Sequence, residues 1–392
     1  MANFTYFTPT RVVFGKKTEL EAGKLIKAYG CKKVLLHYGG GSVKRTGLLD
    51  RVKQVLKEAD IDFVELGGVV PNPHLSLVYK GIELCKENGV DFILAIGGGS
   101  TIDSSKAIGY GVTNPGDVWD FYDFKRAPQA CLPVGVILTI AASGSEMSDS
   151  SVITKEEGGI KRGCNSEFCR PKFAIMNPEL TMTLPAYQTA CGCTDIIMHT
   201  MERYFTNGEH LKLTDSIAEG LMRTVMTQAP ILVKDPQNYE ARAEVMWAGS
   251  LSHNGLTGCG NSANDFASHR LEHEIGGMFD VTHGAGLAAI WGSWARYVHK
   301  DCLHRFYQFA VNVMGVAPSA DKEAVALAGI AKLEQFFRSI NMPTSLKELG
   351  LAPTEEQLKE LAHKCSITTH DALGSAKVLH EADDLAIYKM AL

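Results

Sequence analysis

Asp91-Phe-Ile-Leu-Ala-Ile-Gly-Gly-Gly-Ser-Thr-Ile-Asp103 shows in miniature how the first half of this chain is organised. A short apolar run enters three glycines, and an amphipathic segment over Thr101 to Gly111 follows. Such a run, closed by glycine, predicts a strand buried on both faces, and the segment beyond predicts a helix. The same alternation recurs on either side. Strands are predicted at Lys33 to Tyr38 (KVLLHY), Asp62 to Leu66, Pro133 to Leu138 (PVGVIL) and Lys172 to Met176. Helices are predicted near Leu20 to Tyr29, Leu48 to Glu58 and Leu75 to Asn88. Apolar strands separated by helices imply a parallel sheet covered on both faces, an α/β domain. From about Leu184 the strand signal fades and helical periodicity takes over, as in Tyr187 to Phe205, Leu213 to Ala229, Tyr239 to Leu256, Ala324 to Ile340 and Glu355 to Ala362. The expected organisation is an α/β domain over 1–183 and an all-helical domain over 184–392, with Asn177 to Thr181 and Leu184-Pro185 marking the boundary.

The chain is long enough, at 392 residues, for two domains by default. Its net charge of −5 gives none of the basic excess that nucleic acid or an anionic membrane attracts, so neither is expected as a partner. No stretch is long and apolar enough to span a bilayer. The start MANFTYFTPTRVVFGKKTEL lacks the basic and apolar parts of a secretion signal, and the ten cysteines are scattered, so a cytoplasmic location with reduced thiols is expected. Cys191-Gly-Cys193 could pass for a metal clip, but reads better as the small-residue start of a helix.

Two predicted strands end in triple glycines, Gly39-Gly40-Gly41-Ser42 and Gly97-Gly98-Gly99-Ser100. Without Cβ atoms, backbone N–H groups can approach a pyrophosphate, and the helix that follows adds its positive end. Tight turns in an α/β scaffold use glycine too. Two such loops at the carboxyl ends of parallel strands tip the balance toward a nucleotide and a Rossmann-like domain. Neither loop fits G-x-G-x-x-G, since Lys44 and Ile102 take the final-glycine places, and no P-loop lysine signature is present. Thr139 to Glu146 (TIAASGSE) offers hydroxyls at another strand end, and Lys161 sits in EEGGIKRG, which reads as a solvated hairpin.

The helical half carries Asp195 and His199, then His269, His273 and His283. Residues i and i+4 share a helix face, so Asp195/His199 and His269/His273 can each converge on one point, and two such helices facing each other would build a metal site. Aspartate and imidazole suit iron(II) or zinc. The H-E-x-x-H order of a metalloprotease is absent, because Arg270 follows His269. His37, His74, His210, His253, His299, His304, His363, His370 and His380 are read as non-ligands. A nucleotide in one domain and a Lewis acid in the other suit hydride transfer in the cleft between them.

These motifs resemble those of the iron-containing (group III) alcohol dehydrogenases, in the butanol dehydrogenase-like branch. The resemblance runs nearly end to end, through FTYFTPTRVVFGKK, YGGGSVKRTG, VVPNP, AIGGGSTIDSSKAI, TIAASGSE, RPKFAIMNPELT, GCTDIIMHTMERYF, HNGLTG and HRLEHEIGGMFDVTHGAGLA. It implies a dehydroquinate synthase-like architecture and, commonly, a homodimer through the N-terminal strand region. It implies Asp195, His199, His269 and His283 as metal ligands, with His273 beside the metal in proton relay. It places the dinucleotide on Gly39, Gly40, Gly41, Ser42, Asn72, Gly98, Gly99, Ser100, Thr139, Ser143, Lys161 and Leu180. NAD-preferring relatives often carry aspartate at the position of Gly39. Its absence here, with Lys44 and Arg45 close by, predicts NADP(H) over NAD(H). Asn177-Pro178 departs from the usual Asp-Pro of the family.

The expected activity is metal-dependent reduction of small aliphatic aldehydes and oxidation of the alcohols, butanal-like. A polyol dehydrogenase acting on glycerol or 1,3-propanediol, a dehydroquinate synthase-type lyase and a non-catalytic nucleotide sensor stand as alternatives. The lyase would need basic residues around the metal, and the helices around Asp195 and His269 are poor in them. Phe121, Tyr122, Phe168 and Phe266 are candidate walls of a substrate pocket, or core.

Overall fold

The computed structural model describes residues 1–208 and 211–392 and divides them into two compact units, Thr8–Thr183 and Leu184–Leu392 with Met1–Phe7. The first seven residues thus lie with the helical unit and not with the α/β unit, where the sequence had placed them. His210 lies outside the described residues.

In the α/β unit, β1 (Arg11–Phe14), β2 (Lys33–Gly39), β3 (Asp62–Val69), β4 (Phe92–Gly97), β5 (Val134–Leu138) and β8 (Phe173–Met176) form one sheet. Its order is β1-β8-β5-β4-β2-β3, and every pairing is parallel. All six residues of β4 are buried, as a central strand with both faces covered requires. The helices are α1 (Ala22–Ala28), α2 (Ser42–Arg45), α3 (Leu48–Glu58), α4 (Leu75–Asn88), α5 (Gly99–Thr113) and α6 (Trp119–Tyr122). Leu25, Ile26, Val52 and Leu56 from α1 and α3 pack on Val34, Leu36, Phe92 and Leu94 of the sheet. At about 1.5–3 kcal/mol for each large aliphatic side chain buried, this layer is a main source of the unit's stability.

The chain runs from β2 outward to β3, then returns past β2 to β4 and proceeds the other way. The crevice at the carboxyl ends of β2 and β4 is therefore a topological switch point, where open α/β sheets bind ligands. An antiparallel hairpin, β6 (Ser150–Lys155) and β7 (Ile160–Asn165), stands apart from the sheet. It is the hairpin expected around EEGGIKRG, but Lys161 is only 5% exposed, so the solvated reading does not hold there.

The helical unit contains α7 (Ala186–Tyr204), α8 (Lys212–Lys234), α9 (Tyr239–His253), α10 (Ala267–Phe279), α11 (His283–Val298), α12 (Leu303–Asn312), α13 (Lys322–Ser339), α14 (Glu355–Thr369) and α15 (Glu381–Met390). Every residue of α7 from Thr189 to Tyr204 is buried, which marks it as a central helix wrapped by others. It packs against α8, α9 and α11, while α10 packs on α11 and α14. Cys191 and Cys193 lie near the start of α7 as free thiols, Cys191 against the Met342 sulfur, and not as a clip.

Candidate functional site

Asp195 and His199 project from one face of α7, His269 from α10, and His283 is the first residue of α11. Three imidazole Nε2 atoms surround a single carboxylate oxygen. Asp195 Oδ1 lies 3.3 Å from His199, 3.6 Å from His269 and 3.7 Å from His283. The approach of α11 depends on Gly284, where a Cβ would sit 2.1 Å from the carbonyl oxygen of Cys191, one turn before Asp195. Asp195 Oδ1 and His269 Nε2 are buried and make no hydrogen bond, an arrangement that would be costly without a further partner. One carboxylate and three imidazoles around such orphaned atoms fit a divalent first-row ion.

The electrostatics are uneven. Burial, then the neighbouring His253, His269 and Arg203, holds His199 well below the ordinary imidazole range. For His269 burial also disfavours the cation, but Asp195 and Glu202 outweigh it and raise the group to about 9. Histidine Nε2 must be unprotonated to bind an ion, so binding there releases a proton.

His273 lies one turn beyond His269, 8% exposed, with its ring 5.8 Å from that of His283. Its i, i+4 partnership with His269 therefore serves two places: only His269 faces Asp195, and His273 groups with Glu272 and His283. His253, read as a non-ligand, falls in neither group of potential metal ligands, yet its ring lies tilted against that of His199, with centroids 4.0 Å apart. Phe266 makes edge contacts with His199, His253 and His269. Of the four aromatic wall candidates it alone touches this cluster; Phe121 and Tyr122 are core, and Phe168 is exposed.

In the α/β unit Tyr38 pairs with Ile96, and Ile96 with Ile137. The loops at Gly39–Ser42, Gly97–Ser100 and Thr139–Ser143 consequently leave the sheet side by side. Their closeness excludes side chains: a Cβ on Gly98 would meet Ile140 Cβ at 2.9 Å, and one on Gly99 would meet Ser143 Oγ at 2.3 Å. Glycine is needed here for loop packing as well as for any phosphate. Asn72, buried in the left-handed region at φ 53°, precedes the bridge between His74 and Thr154, and Thr154 is paired with Lys161. The stretch that follows Asn72 and the strand that carries Lys161 thus flank Thr154 on its two sides. Leu180 packs at the edge of the sheet core.

Residues 9–178 match the family described as iron-containing alcohol dehydrogenase, and residues 189–392 match the Fe-containing alcohol dehydrogenase family, C-terminal. The chain belongs to the iron-containing alcohol dehydrogenase family. It is 41% identical over 390 residues to NADH-dependent butanol dehydrogenase A of Clostridium acetobutylicum, covering 99% of each chain. It is 36% identical to an NADPH-dependent aldehyde reductase of Escherichia coli, covering 90% of each. The crystal structure of NADH-dependent butanol dehydrogenase A from Thermotoga maritima superposes with a TM-score of 0.96 at 36% identity, over 100% of this chain and 99% of that one.

Sequence reading of this alcohol dehydrogenase missed three features. Glu202 and Glu272 are buried against His269 and His283, and their signal was present, since each follows a candidate ligand histidine by three residues. Lys106 of α5 is fully buried, and its ammonium donates to the carbonyls of Ser145, Ser148 and Ser150, fixing the chain between β5 and β6. The third is the partner of Asn177. Its amide donates to Glu19 at 3.0 Å while its oxygen caps Glu179 N–H, so an aspartate there would face a buried carboxylate.

Proposed function

We propose that this alcohol dehydrogenase interconverts small aliphatic aldehydes and alcohols of the butanal and butanol kind, with NADP(H) preferred over NAD(H). The observation that carries the reading is the convergence of three Nε2 atoms on Asp195 Oδ1 in a chain of this family. Asp195, His199, His269 and His283 hold one divalent ion, iron(II) or zinc. When bound, the ion supplies Lewis acidity toward the substrate oxygen and the nicotinamide supplies the hydride. In balance, aldehyde, NADPH and one proton give alcohol and NADP+. His273 hands that proton to the substrate oxygen and recovers it from solvent. Phe266, in edge contact with His199, His253 and His269, places an apolar side chain beside the cluster, which supports an alkyl chain over a polyol. Gly39, Gly40, Gly41, Ser42, Asn72, Gly98, Gly99, Ser100, Thr139, Ser143, Lys161 and Leu180 cradle the dinucleotide, with α5 directing its N-terminal N–H groups at phosphate.

Cofactor preference rests on Gly39, which puts no carboxylate at the end of β2, and on Arg45, whose guanidinium lies 3.2 Å from the Cβ position of Gly41. Lys44 is turned over the Tyr38 ring, 5.2 Å from its centroid, and contributes less than the sequence suggested. The NADH named for the Clostridium relative supports a second reading in which NADH serves as well. Catalytic efficiency for butanal with each cofactor, in wild type and Gly39→Asp, decides. We expect NADPH to be preferred and Gly39→Asp to turn the preference toward NADH. A clear NADH preference in the wild type overturns the cofactor reading, and no butanal reduction by metal-loaded enzyme overturns the function.

The ten free thiols support a reducing compartment such as the cytoplasm, and no helix among the described residues is long and apolar enough to cross a membrane. Strand β1 pairs on one side only among the described strands, which supports a homodimer formed through that edge.

A further inference from the structure

Behind the ligand histidines stand two carboxylates with almost no exposure, Glu202 at 2% and Glu272 at 0%. Glu202 Oε1 accepts from His269 Nδ1 at 2.7 Å and from the His269 backbone N–H at 2.9 Å. Glu272 Oε2 is hydrogen-bonded to His283 Nδ1. The order is systematic. Glu202 lies on α7 three residues after His199 and serves α10; Glu272 lies on α10 three residues after His269 and serves α11. Each helix therefore grips the ligand of the next. His199, first in the series, has no such support: its Nδ1 is buried without a hydrogen bond, and its ring is held between those of His253 at 4.0 Å and His269 at 4.3 Å. Space for Glu272 is left by Gly286, where a Cβ would meet its Cγ at 2.9 Å.

We propose that Glu202 and Glu272 are positioning residues that fix His269 and His283 as Nδ1–H tautomers, aim their Nε2 lone pairs at the ion and strengthen them as ligands. A carboxylate accepting from Nδ1–H leaves Nε2 as the bare nitrogen and adds electron density to the ring. His199, without that support, is the weakest of the three imidazole ligands. This inference rests on the ligand assignment above and adds what makes those ligands unequal.

The test uses the full-length chain stripped of metal and titrated with zinc(II) against a competing chelator, then with cobalt(II), whose visible bands report ligand geometry. Glu202→Gln and Glu272→Gln retain an acceptor for Nδ1–H and remove the charge, whereas Glu202→Leu removes both. We expect zinc affinity to fall about tenfold in the glutamine variants and about 100-fold in Glu202→Leu, with altered cobalt bands. Thermal melting of the metal-free glutamine variants should match wild type, which separates ligand strength from folding. Should Glu202→Leu fail to fold, the two glutamine variants still decide. Glutamine variants that bind zinc within about twofold of wild type with unchanged cobalt bands overturn the proposal. Asp195→Asn serves as the control: if it too leaves zinc affinity intact, the ligand assignment has failed and not the role of the glutamates.

Discussion

In the α/β unit the candidate cradle is made largely by what is missing. Gly98 and Gly99 let their loop lie against Ile140 and Ser143 of the neighbouring one at the switch point. In the helical unit the candidate metal centre is made by side chains on buried helices, two of them, His269 and His283, held by glutamates. The two candidate sites are thus specified in different physical terms: steric absence in the α/β unit, and buried charge with fixed hydrogen bonds in the helical one. That difference also suggests where each half is fragile, to added volume in one and to altered charge in the other.

Gly284→Ala is the sharpest attempt to break that contrast, because it adds volume where charge is expected to rule. The new methyl would lie 2.1 Å from the Cys191 carbonyl oxygen, which is backbone on α7 and cannot rotate aside. Helix α11 must retreat and carry His283 with it. Overpacking of this kind costs about 1–3 kcal/mol, so zinc affinity should fall roughly 10–100-fold. Zinc retained after dialysis, compared with wild type, is the measurement. Full retention would leave the helical site indifferent to volume and the contrast in its simplest form.

Two buried histidines sharpen the electrostatic side. Burial lowers His37 of β2 to about 4, its ring nitrogens satisfied by Leu66 O and Ser104 Oγ at 2.8 Å each, whereas His269, held between two carboxylates, is raised. The sign for His37 follows from linkage. Its folded value lies below the ordinary 6.5, so as pH falls through 6.5 the unfolded chain takes up a proton that the folded chain refuses. Stability is complete above that point and declines until about pH 4, where the folded form also protonates. The full effect is about 3 kcal/mol at about 1.4 kcal/mol per pH unit. Urea unfolding across this range should show a flatter pH dependence in His37→Gln; parallel curves would remove His37 as the cause.

Asn177→Asp brings charge into the half built on steric absence. The substituted oxygen would face Glu19, 4% exposed, in place of the amide that now donates to it. Loss of that donor and like-charge repulsion should destabilise the protein by about 1–3 kcal/mol at neutral pH. Melting temperature beside that of Asn177→Leu, which loses the donor without adding charge, checks it. An equal loss in both would point away from repulsion.

Legibility in the sequence divided along similar lines. The parallel sheet was readable because central strands such as β4 are apolar throughout, whereas β1, four residues at the edge with its end residues exposed, carried no such signal. Asp195, His199, His269 and His283 come together as their spacing and the family resemblance suggested. Their supports were harder to find. Glu202 and Glu272 are glutamates on helices, where solvent exposure is the ordinary expectation, and only burial distinguishes them. Lys161 was misread for the same reason, since a charged residue beside two glycines looks solvated until the strand around it is seen to pack. His253 gave no sign because its ring contact with His199 joins residues far apart in the chain.

Gly98→Ala asks for the smallest effect and the cleanest separation. Its Cβ would meet Ile140 Cβ at 2.9 Å, a contact that a modest shift of the Thr139–Ser143 turn can relieve. That shift spreads the loops beside β4 and β5 and draws N–H groups away from where a pyrophosphate would lie. Cofactor affinity should fall about tenfold, equivalent to about 1.4 kcal/mol, because contacts are lengthened and none is removed. Zinc affinity should stay at the wild-type value, since Ile140 and Gly98 belong to the α/β unit and all four candidate ligand residues belong to the helical one. Fluorescence titration with NADPH, set beside chelator competition for zinc on the same preparation, reads both quantities. Unchanged NADPH affinity would mean that the loops tolerate volume and that the glycines serve packing alone; a parallel fall in zinc affinity would mean that the two halves are not specified independently.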